Sequence, residues 1–342
     1  MKNMRKIVPA TEENIKLGAK LLAEGKLVAF PTETVYGLGA VFCLESAVAR
    51  IFEAKRRPFF DPLIVHVASK KDVSYLWQKV PPRVNLLLER FWPGPLTLVL
   101  PKKETVPDIV TAGLDTVAAR MPAHPVALKL IEYCGFPVAA PSANLFGHVS
   151  PTRAEDVEED LGDEVDLILD GGITSVGVES TIILFEEEKF FLLRPGGVPV
   201  ELIEEVIGEK VVTRKSLPAR TLAPGMLKTH YAPRVPLYIF EGEAEELKKA
   251  DFEKGIALLS PRPLSFSGDA VFVLSENGDL REVAFRLFAA LRKLERERAE
   301  KALAIPVPEV GLGRAIMDRL RKASRGTARV VDGELVFVEA EK

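Results

Sequence analysis

Pro31-Thr32-Glu33-Thr34-Val35-Tyr36-Gly37-Leu38-Gly39 follows the apolar run Lys26 to Phe30, and together they read as a strand delivering a polar loop. Four further polar loops follow apolar runs: Lys55-Arg56-Arg57-Pro58, Pro141-Ser142-Ala143-Asn144, Glu179-Ser180-Thr181 and Leu193-Arg194-Pro195-Gly196-Gly197. Strand ends of this composition expose hydroxyls, backbone N–H groups and cations, which is the equipment for holding an anion. The reading is an α/β protein whose five loops build one site for a polyphosphate and a small second ligand.

Working outward, the runs Pro62 to Val67, Leu96 to Leu100, Thr116 to Arg120, Phe136 to Ala140, Asp166 to Leu169, Ser180 to Phe185 and Phe190 to Leu193 also read as strands. Helical periodicity marks Glu12 to Glu24, Glu45 to Lys55, Ala127 to Cys134 and Arg153 to Leu161. Strands adjoin strands as often as helices, which predicts a mixed sheet. Past Glu201 to Ile207, the segment Arg214 to Arg234 carries Pro218, Pro224 and Pro233 with little apolar periodicity. Strands and helices then alternate to the end, as in a small doubly wound domain. The expected organisation is a first domain over 1–207, a linker over 208–234 and a smaller Rossmann-like α/β domain over 235–342. The linker is expected to act as a lid, hinged at Gly225, that carries Tyr231 to the site.

Composition narrows the function. The 342 residues are 47% hydrophobic and 28% charged with a net charge of −3, so no global field draws the chain to nucleic acid or acidic lipid. Cys43 and Cys134 are too few for a disulfide framework, and four scattered His show no ligand spacing, so a reducing cytoplasm and no protein-built metal site are expected. No run approaches the roughly 20 apolar residues of a membrane span. One Gln and five Asn against 46 Lys/Arg and 49 Asp/Glu suggest a chain kept folded at high temperature.

Most of the candidate residues admit a plainer role. Lys55, Arg56 and Arg57 at a helix C-terminus complement the helix dipole whatever else they do. His66 after Leu63-Ile64-Val65 suits a hydrogen-bonded core position as well as a catalyst. Ser142 and Asn144 are turn formers as readily as ligand contacts. Arg194 ends an apolar strand before Pro195-Gly196-Gly197, which puts its guanidinium at a sheet edge beside flexible backbone; Arg120 holds the same kind of position, and both present planar forks suited to phosphate or carboxylate. No P-loop pattern, catalytic triad or paired carboxylate stands out.

Taken in order, the five loop motifs, with Pro62-Leu63-Ile64-Val65-His66 after the second, resemble the L-threonylcarbamoyl-AMP synthase family with its YrdC-like catalytic domain. Pro224-Gly225-Met226 and His230-Tyr231-Ala232-Pro233, with the second α/β unit, resemble its longer two-domain branch. The resemblance implies a nucleotidyltransferase that condenses L-threonine, bicarbonate or CO2, and ATP with Mg2+ to threonylcarbamoyl-adenylate and pyrophosphate. It implies that a tRNA transferase of the Kae/TsaD type takes the product, with no direct tRNA binding or membrane required. Carried over by position, Thr34, His66, Arg120, the Ala140 backbone and Ser180 hold threonine. Lys55, Arg57, Asp61, Thr116, Ser142, Asn144, Ser150, Arg194 and Tyr231 surround ATP, with Lys55, Arg57 and Arg194 carrying the catalytic charge. Phe59-Phe60-Asp61 departs from the small-polar-Asn segment common in relatives, and an anionic Asp61 beside phosphate calls for a metal or a neighbouring Arg. The competing reading is an RNA-binding module using a basic concave sheet, which the 7% aromatic content disfavours.

Overall fold

The computed structural model describes residues 6–213, 223–224, 231–248, 255–264, 270–297 and 299–340. The chain forms two compact units, residues 1–146 with 150–227 and residues 147–149 with 228–342. Most of the expected linker, including Pro218, Gly225, Met226 and His230, lies outside the described residues.

The first unit is built on strands β1 (Ile7–Pro9), β2 (Val28–Pro31), β3 (Tyr36–Val41), β4 (Ile64–His66), β5 (Leu96–Pro101), β6 (Thr116–Arg120), β7 (Val138–Ala139), β8 (Leu167–Asp170), β9 (Thr181–Glu186), β10 (Lys189–Arg194) and β11 (Val212–Thr213). They join in one mixed sheet of order β1-β8-β2-β3-β7-β4-β6-β5-β9-β10-β11. Helices α1 (Glu12–Ala23), α2 (Glu45–Lys55), α3 (Pro82–Phe91), α4 (Asp108–Thr111), α5 (Pro125–Cys134), α6 (Ala154–Leu161) and α7 (Val200–Ile207) pack around it. The period-2 alternation of a strand separates the two faces of the sheet. Val65, Val117, Ala119, Leu98 and Ile183 point into the main core with α2 and α3 side chains. Ile64, Val99, Ala118, Ile182 and Leu184 form a separate small cluster on the opposite face, closed by Ala223. By the same alternation His66, Thr116 and Arg120 share that opposite face.

Part of the expected first loop is strand. Pro31 ends β2, Thr32–Val35 turns, and Tyr36 to Val41 is β3, paired antiparallel with β2. Thr32 makes the turn by accepting from the Thr34 and Val35 amides and donating to the Val35 carbonyl. Gly39 hid the strand from a propensity reading, and the packing explains it. A Cβ there would lie 2.7 Å from Phe30 and 2.8 Å from Val138, so the strand accepts glycine for close approach. α3 was likewise absent from the expected elements.

The second unit contains β12 (Leu237–Phe240), β13 (Ile256–Ser260), β14 (Ala270–Val273), β15 (Lys301–Ala304), β16 (Ser324–Val331) and β17 (Glu334–Glu339), with α8 (Leu280–Leu294) and α9 (Gly313–Ala323). Its sheet order is β14-β13-β15-β12-β16-β17, parallel except for the hairpin strand β17. This is the Rossmann-like α/β arrangement expected from the sequence. Arg292, although charged, lies inside α8 at 5% exposure.

Candidate active site

Lys55 is the last residue of α2, and Arg56 closes the helix in the left-handed conformation at φ 51°. The turn separates the three cations. Arg56 is exposed, whereas Lys55 and Arg57 are 1% and 6% exposed, so the latter two do more than complement a helix dipole. Lys55 Nζ donates to the Ser142 and Asn144 carbonyls and ties α2 to that loop. Burial, reinforced by the Arg57 charge, holds its ammonium pKa well below the ordinary lysine value. Asn144 donates its side-chain amide to the Leu145 carbonyl.

Arg57 reaches forward along its own loop, donating to the Asp61 and Pro62 carbonyls and pairing with Asp61 at 2.9 Å. Asp61 is fully buried, and Arg57 is the neighbouring arginine its charge requires. Burial pushes its carboxyl pKa up, against the opposing pull of Arg57, Lys55 and Arg194. Three cations therefore act on one carboxylate, and Asp61 Oδ1 has no hydrogen-bond partner.

Arg194 is not at a sheet edge as expected, because β10 lies between β9 and β11 and the side chain is 4% exposed. A register shift between Leu192 and Arg194 re-aims it, as bulges beside functional sites commonly do. Its guanidinium donates to the Ser180 carbonyl and hydroxyl and to the Pro224 carbonyl. Ser180 in turn shares a 2.7 Å hydrogen bond with Thr97. The following glycine serves close approach rather than flexibility. A Cβ on Gly196 would fall 2.3–2.4 Å from the backbone of Glu179, Ser180 and Thr181. Gly196→Ala is accordingly expected to displace Ser180 and Arg194 together and to destabilise the unit by at least about 1–3 kcal/mol, read from urea unfolding. An unchanged unfolding midpoint would overturn this account of the glycine.

Arg120 is held on three sides. It donates to Thr34 Oγ1 at 2.8 Å and to the Gly94 carbonyl, and pairs with Glu33 at 2.7 Å. Glu33 also accepts from the Ala123 amide. Glu33 was not among the expected site residues, although it is the one acid of its loop. Glu179 is a second such case, accepting from the Ser150 hydroxyl at 2.7 Å. An acid next to a hydroxyl residue in a polar loop was the available signal in both cases.

His66 lies beside Arg120 in the β4–β6 register and is 3% exposed, with Phe30 edge-on at 6.4 Å. Burial and then the Arg120 charge lower its pKa to about 3, and Nδ1 has no hydrogen-bond partner. It is a neutral imidazole at working pH. The unfolded chain binds this proton below about pH 6.5 while the native state refuses it, so stability falls as pH drops from about 6.5 toward 3. His66→Asn is expected to flatten that slope by one proton, about 1.4 kcal/mol per pH unit, in urea unfolding between pH 6 and 4. An unaltered slope would show that His66 does not carry it.

The remaining expected residues are spread along the structure. Thr116 and Arg120 occupy opposite ends of β6, roughly 13 Å apart at strand rise, so the site crosses the sheet face instead of gathering at one edge. The Ala140 amide donates to Ile64, and Ser142 bridges Gly37. Tyr231 belongs to the second unit, stacked on Phe288 at 5.4 Å with Arg319 near its ring.

Buried arginines, one buried lysine, hydroxyls and a neutral histidine lie on and beside the sheet of an α/β protein, a set of groups suited to a polar, anionic ligand. Comparisons with known proteins say which. Residues 20–196 match the Sua5/YciO/YrdC family described as telomere recombination, and residues 198–325 match the threonylcarbamoyl-AMP synthase C-terminal domain. The threonylcarbamoyl-AMP synthase of Pyrococcus abyssi is 49% identical over 92% of this chain and 94% of its own. That of Bacillus subtilis is 43% identical over 95% and 99%. The crystal structure of P. abyssi Sua5 complexed with L-threonine superposes with a TM-score of 0.86 at 46% identity, covering 95% of this chain and 98% of that one. The chain belongs to the threonylcarbamoyl-AMP synthase family, in its two-domain form.

Proposed function

We propose that this enzyme condenses L-threonine, bicarbonate or CO2, and ATP to L-threonylcarbamoyl-adenylate and pyrophosphate, for tRNA threonylcarbamoyladenosine modification. The observation that carries this reading is the burial of three basic side chains, Lys55, Arg57 and Arg194, with the Asp61 carboxylate paired to Arg57 at 2.9 Å, a set of basic groups suited to phosphate. The threonine held by P. abyssi Sua5 supports the amino-acid half of the site. RNA binding is the weaker reading, because cations that track a nucleic-acid backbone must be exposed, and Arg57, Arg120 and Arg194 are 3–6% exposed.

In this reading Arg120, held by Glu33 and Thr34, faces the threonine carboxylate, while neutral His66 accepts from a threonine donor through Nδ1. Ser180 and the Ala140 backbone complete that half. The threonine amine attacks the carbon of CO2, a C–N bond forms as one C=O π bond opens onto its oxygen, and the amine proton passes to water, leaving a carbamate. A carbamate oxygen then attacks the α-phosphorus, the bond to the bridging oxygen breaks, and pyrophosphate leaves with charge that Lys55, Arg57 and Arg194 receive. Thr116, Ser142, Asn144 and Ser150 position the nucleotide, and much of the rate comes from that alignment. Asp61 Oδ1, buried without a hydrogen bond, fits as a single protein oxygen for Mg2+ carried mainly by ATP phosphates. Bound there, Mg2+ would supply further charge neutralisation.

Tyr231, buried in the second unit against Phe288, is left out of the nucleotide site in this reading, and Ala223 and Pro224 of the linker cover the site face and shield the adenylate from water. Ala223 packed on the site face and Pro224 bound by Arg194 support this reading. The product passes to a Kae/TsaD-type transferase in the cytoplasm. No helix among the described residues is long and apolar enough to cross a membrane. ATP–pyrophosphate exchange that requires both threonine and bicarbonate tests the proposal, with serine expected to be about 10–200-fold poorer for its missing methyl. Exchange without any amino acid would refute it.

A further inference from the structure

The second unit contains a cavity of its own, and the sheet topology says what kind of place it is. β12 and β15 are adjacent parallel strands. The chain leaves β12 for β13, toward one edge of the sheet, but leaves β15 for β16, toward the other. Connections that depart in opposite directions from neighbouring strands open a crevice at their C-terminal ends, the position at which doubly wound sheets bind ligands. A cavity of about 600 Å³ lies there, lined by residues that follow β12, β13 and β15. That volume is in the range of small-molecule sites.

Its rim is fixed before any ligand arrives. Ser260, at the end of β13 and fully buried, donates its hydroxyl to the Arg262 carbonyl. Ser275, also fully buried, accepts from the Asn277 and Asp279 amides and shapes the turn into α8. Such pinned loops lower the entropy cost of binding. The lining divides by chemistry. Ile305, Val307 and Leu280 offer apolar surface, Asn277 a carboxamide, Glu243 a carboxylate and Arg262 an exposed guanidinium.

We propose that this crevice is a second ligand site, separate from the catalytic face of the first unit, and that it takes a nucleoside monophosphate. An apolar wall suits the base, a carboxylate after the first strand suits ribose hydroxyls, and an arginine after the next strand suits a single phosphate. Nothing in the condensation chemistry uses these residues, so a nucleotide bound here regulates the enzyme or reports the adenylate state of its surroundings.

The test uses the full-length chain with 13C-labelled Ile, Leu and Val methyl groups, titrated with AMP up to about 5 mM. Saturable shifts of the Ile305 and Val307 methyls are expected, because these groups read the crevice and not the catalytic face. Arg262→Glu, an exposed substitution, is expected to weaken the effect at least about tenfold, and Val307→Trp to abolish it by filling the space. Absence of shifts overturns the proposal. Equal binding of inorganic phosphate or of adenosine overturns the nucleoside monophosphate assignment. Shifts that survive both substitutions overturn the location.

Discussion

Arg57→Ala is expected to destabilise the first unit by about 3–5 kcal/mol and to lower adenylate synthesis at least about tenfold. The physical cause is Asp61. Its carboxylate is fully buried and paired with Arg57 at 2.9 Å, and burial already pushes its pKa up. Without Arg57 the burial effect meets less opposition and the carboxyl moves toward its neutral form. A raised native pKa gives stability that is present at low pH and lost as pH rises, so the deficit of the variant should shrink from pH 7 toward pH 4. Adding Asp61→Asn should restore part of the stability while synthesis stays low, because the charge we propose for phosphate is still missing. Urea unfolding of the two single variants and the double variant measures the coupling. Strictly additive losses would show that the pair is not a unit.

Arg120→Ala should act on the other substrate. We expect kcat/KM for threonine to fall by about 10–150-fold, equivalent to about 1.5–3 kcal/mol, with the KM for ATP nearly unchanged. Arg194→Ala should show the reverse dependence, because Arg194 is assigned to phosphate. Arg120 is held by Glu33, Thr34 and the Gly94 carbonyl. Glu33→Gln keeps the shape of that support but removes its charge, so its effect on threonine affinity should be smaller than that of Arg120→Ala. Pyrophosphate release measured against each substrate in turn separates the cases, and a threonine-neutral Arg120→Ala would remove the arginine from the amino-acid half.

The two glycine-bearing motifs illustrate how far reading along the chain can go. Leu193-Arg194-Pro195-Gly196-Gly197 marked an arginine at a strand end, but flexibility was the wrong reason for Gly196. Its partner is the backbone of Glu179 to Thr181, more than ten residues away in sequence. Tyr36-Gly37-Leu38-Gly39 read as loop because glycine has low strand propensity, whereas Phe30 and Val138 leave no room for a Cβ at Gly39. Neither neighbour is visible from local pattern.

The sequence by itself determined the mixed α/β class, the Rossmann-like second unit, the family and the set of loops that carry polar chemistry. Apolar periodicity and the order of short motifs are local properties, and they survive without knowledge of what packs on what. Tertiary structure decided which cations are buried and what holds them. It paired Arg57 with Asp61 and Arg120 with Glu33, turned Arg194 inward through a bulge, and put His66 and Arg120 on the face away from the main core. It also placed Ala223 against that face. Burial and charge pairing join residues far apart along the chain, and only the closed sheet brings those surfaces together.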